Sequence, residues 1–141
     1  MSKENADLVR RSYAALNAAY KSGDVNDLLP LADEVWDPNI VLSTKGDLLA
    51  GGEEWHGYEG VLRFIASQME AFQQMWLEPQ EFIEAGNMLV VSVQFGGRAR
   101  HTGIELEFST AHVFTINDGR PTRMDLYESK AEALKAAGLS E

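Results

Sequence analysis

Between Ile104 and Ile116 the chain alternates without a break: Ile104, Leu106, Phe108, Thr110, His112, Phe114 and Ile116 fall on one side, and Glu105, Glu107, Ser109, Ala111, Val113 and Thr115 on the other. A period of two held for so long specifies a strand with one apolar face, and such a strand is not stable alone in water. It needs neighbours beside it and a layer over its apolar face. Neighbouring strands are expected at Gln80 to Glu84, Met88 to Arg100 and Arg120 to Tyr127, separated by Gly86-Asn87, His101-Thr102-Gly103 and Asn117-Asp118-Gly119.

Charge suggests how the long strand pairs. Setting Arg100 opposite Glu105 also sets Arg98 opposite Glu107, and the same register brings Val93 opposite His112, Phe95 opposite Thr110 and Val91 opposite Phe114. The arginines then read as an outer-face charge ladder and not as an anion clamp. Gly96-Gly97 predicts a bend or bulge that curls the sheet. The last strand admits two alignments. A three-residue Asn117-Asp118-Gly119 loop puts Thr122, Met124 and Leu126 on the His112 face; a two-residue Asp118-Gly119 turn puts Arg123, Asp125 and Tyr127 there. The apolar set favours the first and leaves Asp125 outside.

The covering layer is helical. Val9, Tyr13, Leu16 and Tyr20 form the stripe of a first helix that stops at Gly23. A second helix is expected from Asp27 to Trp36 with Pro30 in its first turn, ending at Asp37-Pro38, and a short strand from Asn39 to Ser43. Leu62, Ile65, Met69, Phe72 and Trp76 predict a third helix from Tyr58 to Leu77. Between them, Thr44 to Gly57 reads as a glycine-rich loop and a candidate lid. Ser129 with Glu132 caps a short last helix that Gly138 closes. Helices ahead of a strand meander give an α+β fold with helices over one face of a curved antiparallel sheet.

The 141 residues suit one domain, taken as 1–141, large enough for a core with a small pocket. A net charge of −10 repels phosphate backbones, so no nucleic-acid partner is expected. The absence of cysteine removes disulfides and thiol chemistry. No signal pattern opens the chain and no apolar run reaches the ~20 residues of a membrane span, so a cytoplasmic location and no membrane partner are expected.

His112 lies on the apolar face of its strand, either as a general acid or base or as a hydrogen-bonded core histidine. Tyr13 is likewise either a donor to developing negative charge or a core ring. Trp55 and His56 sit in the glycine-rich loop, where His56 is a weaker catalytic candidate. Trp36, Phe64, Met69, Phe72 and Trp76 line a ligand site or simply fill the core; Trp55, Val93, Phe95, Phe108, Thr110, Phe114 and Met124 complete the candidate lining. His56, His101 and His112 lack ligand spacing, so neither metal nor other cofactor is expected. Three readings stand: an acid–base enzyme on a small apolar carbonyl compound, a non-catalytic binder of a small apolar molecule, and an interaction domain using an apolar outer sheet patch at Val90, Ala111 and Val113.

The segments VWDPNIVL, WHGYEGVLRFI, VFTINDGRPTRMDLY and ESKAEALKAAGL resemble the NTF2-like superfamily, and within it the SnoaL-like group, over nearly the whole chain. That resemblance implies a cone-shaped α+β (cystatin-like) fold with three N-terminal helices, homodimeric through the outer sheet face, whose apolar cavity serves polyketide cyclases, ketosteroid isomerases and dehydratases. Tyr13 and His112 match the positions of the isomerase oxyanion hole. The isomerase base would fall in Ile40-Val41-Leu42-Ser43, which offers no carboxylate, so 3-oxosteroid isomerisation is not implied. The likeness to SnoaL-type cyclases points to His112 and Asp125 as the polar residues of the last two strands.

Overall fold

The computed structural model describes residues 2–45 and 53–139. Helix α1 (Ser2–Ser22) is followed by a 3₁₀ turn (Val25–Leu28), helix α2 (Leu29–Val35), strands β1 (Val41–Lys45) and β2 (Glu54–His56), helix α3 (Gly57–Ala71), strands β3 (Phe72–Ala85), β4 (Met88–Ala99), β5 (Glu105–Asn117) and β6 (Arg120–Tyr127), and helix α4 (Lys130–Ala136). The Asp24 carboxylate accepts the Asn26 N–H, which starts the 3₁₀ turn ahead of Pro30 and displaces the expected start of the second helix into α2. The candidate lid falls on residues 46–52, which lie outside the described residues.

One sheet runs β2-β1-β6-β5-β4-β3. It is mixed and not antiparallel throughout, because β1 runs parallel to β6, with Ser43 beside Asp125. A helix and the whole meander separate these two strands, so no hairpin dictates their relative direction.

The third helix ends six residues before its expected limit at Leu77, because β3 begins at Phe72. Phe72 and Trp76 continue the helical spacing of Met69 by coincidence; from Phe72 onward the backbone pairs with β4 instead. The free edge of β3 is then closed from α1. Asn17 donates its amide to the Leu77 carbonyl at 2.8 Å and accepts the Leu77 N–H at 2.9 Å, so both backbone groups of an edge residue are satisfied by one side chain. Pro79 falls on this edge strand beside a bulge, where its missing donor does no harm.

Two registers carry the site. The β4–β5 pairing is displaced by two residues from the charge-based expectation: Val91 faces His112, Val93 faces Thr110, Phe95 faces Phe108 and Arg98 faces Glu105. The hairpin closes through Ala99 N–H to the Ile104 carbonyl at 2.9 Å and Gly103 N–H to the Ala99 carbonyl at 2.8 Å, which places the loop at residues 100–103 where charge matching puts it at 101–104. A shift of two preserves side-chain parity, so the apolar face is unchanged. Only Arg98 keeps an acidic partner, Glu105 at 2.7 Å. The β5–β6 connection is the two-residue turn, with Asp118 and Gly119 both at positive φ (54° and 77°) and Asn117 facing Arg120. A bulge at Thr122 on β6, opposite the Thr115–Ile116 step of β5, then shifts the register, and Met124 and Leu126 regain the His112 face.

The inner sheet face and α1, α2 and α3 enclose the main core. The outer face is not the exposed apolar patch expected at Val90, Ala111 and Val113. Helix α4 lies over it and buries all three against Ala133 and Leu134. Ser129 caps that helix by accepting the Glu132 N–H at 3.2 Å. Among the described residues no helix is long and apolar enough to cross a membrane.

Candidate functional site

Tyr13 projects from the inward stripe of α1 and His112 from the inward face of β5. The Tyr13 hydroxyl lies 2.6 Å from Nδ1 of His112, the two rings stack with centroids 5.8 Å apart and planes 14° from parallel, and Phe114 meets Tyr13 edge-on at 5.9 Å. Both residues are buried. Burial lowers the pKa of His112 from its usual 6.5 to about 3, so the ring is neutral at physiological pH. Burial, reinforced by the neighbouring Tyr20, pushes the Tyr13 hydroxyl well above its ordinary value. A neutral buried phenol must place its proton, and the acceptor within reach among the described residues is Nδ1. Tyr13 therefore donates to Nδ1, and the imidazole proton resides on Nε2.

His112 forms part of the wall of a cavity of about 100 Å³. Of the candidate lining residues, Trp36, Phe64, Phe72, Phe95, Phe108, Thr110 and Met124 border it, together with Leu16, Tyr20, Leu42, Val61, Ile65, Gln68, Met75, Leu77 and Leu126. With Nδ1 held by Tyr13, Nε2–H is the polar group that His112 has left for this space. The Thr110 hydroxyl donates to the Tyr127 carbonyl and the Trp36 indole N–H donates to Ser12 Oγ at 3.1 Å, so both residues face the cavity with carbon. Among the described residues no carboxylate lines it. Leu42 stands on the strand where the isomerase-like pattern would require one.

Several expected lining residues lie elsewhere. Tyr13 stands behind His112, and Val93 and Phe114 are packed into the core without reaching the cavity. Met69 borders an outer depression, and the Trp55 ring packs on Phe64 with centroids 4.6 Å apart on the far side from the cavity. Trp76 does not border the cavity; its indole lies on Gly96 on the outer face. His56 is exposed and sits 3.3 Å from Glu54. Asp125 is on the outer face as its parity requires, yet it is buried: Ser43 donates to it, Arg123 Nε reaches its two oxygens at 3.0 and 3.2 Å, and Arg123 continues to Glu54 at 3.0 Å. Neither His56 nor Asp125 shares the cavity with His112. Among the described residues no three His, Cys, Asp or Glu side chains are grouped as metal ligands.

Tyr20 and Gln68 are the polar lining residues that sequence reasoning missed. Tyr20 lies two helical turns after Tyr13 on the same stripe, a signal that marks it as inward-facing. Gln68 interrupts the apolar stripe of α3 and carries no comparable mark.

A family model described as SnoaL-like domain matches residues 9–124. The fold is similar to that of an NTF2-like protein of unknown function from Burkholderia pseudomallei (23% identity, 94% of this chain and 95% of that one, TM-score 0.69). It is also similar to TerC co-crystallized with polyporic acid (22% identity, 96% and 98%, TM-score 0.68). A third likeness is to a Catenulispora acidiphila protein with a ketosteroid isomerase-like fold, in complex with trimethylamine (16% identity, 89% and 91%, TM-score 0.66). These likenesses concern the fold. No curated protein sequence matches the chain.

Proposed function

The chain belongs to the SnoaL-like domain family, and from that footing we propose that it binds a small apolar molecule carrying an oxygen acceptor, held in the cavity by the Nε2–H of His112. The observation that carries this reading is the Tyr13–His112 hydrogen bond. It fixes the tautomer, and it makes a histidine that would otherwise be ambivalent into a committed donor. A neutral donor in a water-poor space favours a ketone, aldehyde or phenol oxygen over a hydrocarbon, because an unmatched N–H inside the cavity costs free energy. The size of the space favours one ring, since a dry cavity of roughly 150 Å³ accommodates benzene. TerC with polyporic acid and the Catenulispora protein with trimethylamine are small-molecule complexes of the same fold, which accords with this reading.

A donor aimed at a carbonyl oxygen would also stabilise an enolate, the step shared by isomerases and cyclases. The described lining residues supply no carboxylate base for that step, so the binding reading comes first. The test compares acetophenone with ethylbenzene, which differ at the oxygen, by calorimetric titration of wild-type protein and His112→Leu. Wild type should prefer the ketone and the variant should lose the preference while still binding the hydrocarbon. Equal affinity of wild type for both, or no binding of either, overturns the reading.

A further inference from the structure

The cavity has a built entrance. An outer depression of about 290 Å³ shares Tyr20, Phe72 and Met75 with it, so these three side chains stand between the two spaces and would form the neck of an entrance. A bulge between Gln73 and Trp76 breaks the β3–β4 ladder there, with Gln74 held at φ 56°, a region that a residue other than glycine seldom occupies. The extra residue parts Phe72 from Met75 and leaves the sheet open at this edge.

Among the described residues lining this depression Arg100 is the one cation and Glu70 the one acid, and the two form no ion pair. Among the described residues Arg10, Arg11, Arg63, Arg98 and Arg123 each lie within ion-pair distance of a carboxylate. Arg100 does not, although the chain carries a net charge of −10. Arg120 is the other exception, with Nη1 donated to the Trp36 carbonyl at 2.9 Å away from this opening. At Arg100, Nε donates to the Met69 carbonyl at 2.9 Å and Nη1 reaches Gln73 Oε1 at 3.5 Å. Neutral acceptors thus orient the guanidinium without cancelling its charge, and Nη2 makes no hydrogen bond to a described residue. A fixed, unneutralised fork at the neck of an apolar cavity suits a carboxylate.

Building on the cavity reading above, we propose that the entrance is a subsite for an anionic group and that the ligand class is a small aromatic or alicyclic carboxylate with an oxygen at its far end. The ring passes the neck toward the cavity, and the carboxylate stays outside on Arg100. Isothermal titration with acetophenone and para-acetylbenzoate tests this on wild type, Arg100→Gln and Arg100→Lys. Wild type should bind para-acetylbenzoate roughly tenfold more tightly than acetophenone, with the advantage shrinking as salt rises. Arg100→Gln should abolish the advantage and leave acetophenone unchanged, and Arg100→Lys should retain part of it. Equal wild-type affinities with acetophenone still bound would remove the anion subsite and leave the cavity reading standing. Equal weakening of both ligands by Arg100→Gln would reduce Arg100 to a cap on α3 and also overturn the proposal. If acetophenone itself fails to bind, both readings fall together.

Discussion

The Tyr13 hydroxyl and His112 Nδ1, on residues 99 positions apart in the chain, meet at 2.6 Å in a place where neither has another polar partner among the described residues. Tyr13→Phe leaves a buried nitrogen lone pair unmatched, and the expected loss of stability is about 1–3 kcal/mol. His112→Phe strands the phenol instead and should cost a similar amount. The double variant should then be more stable than the sum of the two losses implies, because no polar group is left unpaired. Urea unfolding of the four proteins reads this directly, and strict additivity would mean that the bond contributes nothing.

The same burial makes stability depend on pH. Unfolded, His112 takes up a proton near pH 6.5; folded, it resists protonation until about pH 3. Its contribution is therefore complete above pH 6.5 and is lost as pH falls from there to about 3, at a slope approaching 1.4 kcal/mol per pH unit. In His112→Phe that component of the slope should vanish. Denaturant midpoints measured between pH 7 and pH 4 for both proteins give the comparison, and equal slopes would refute the assignment.

Trp76 lies on Gly96 so closely that a Cβ there would stand 2.2 Å from the indole. Gly96→Ala must therefore displace the ring, and a loss of about 1–3 kcal/mol is expected from the overpacking. Combining it with Trp76→Ala should cost little beyond Trp76→Ala alone. Thermal unfolding of the single and double variants separates this contact from an intrinsic backbone requirement for glycine, which would persist in the double variant.

On the outer face, Arg123→Gln leaves the buried Asp125 carboxylate with Ser43 alone, and a loss of about 1–3 kcal/mol is expected once the partial exposure of Arg123 is allowed for. Glu54→Gln removes only an exposed contact to the same arginine and should change stability by less than about 0.5 kcal/mol. Chemical denaturation that ranks the two variants the other way round would show that Asp125 does not depend on Arg123.

The inward face of β5 is legible in the sequence because strict alternation leaves a single set of residues to bury, and His112 belongs to it whatever the register. The pairing of Arg98 is less legible: charge complementarity fits either of two alignments two residues apart, and the choice lies with the loop that closes Ala99 on Ile104. At β6 the apolar pattern gives the right face for Met124 and Leu126 through the wrong turn, since the two-residue turn is compensated by the Thr122 bulge. Phe72 and Trp76 extend the spacing of α3 and hide the start of β3, which is decided by pairing with β4 and by Asn17 reaching Leu77 from another element. The Tyr13–His112 bond and the role of Arg100 depend on contacts between distant segments, which no local pattern encodes.

The distance along the chain between Tyr13 and His112 also has a consequence for biosynthesis. The ribosome completes the stripe of Val9, Tyr13, Leu16 and Tyr20 first, and β5 emerges 99 residues later, roughly 5–20 s at 5–20 residues per second. During that interval α1 can meet α2 and β3, which it packs on, but Tyr13 has no acceptor for its proton until β5 is made. The polar pair at the cavity wall is therefore completed late in synthesis, after the layer of α1, α2 and β3 around it has been made.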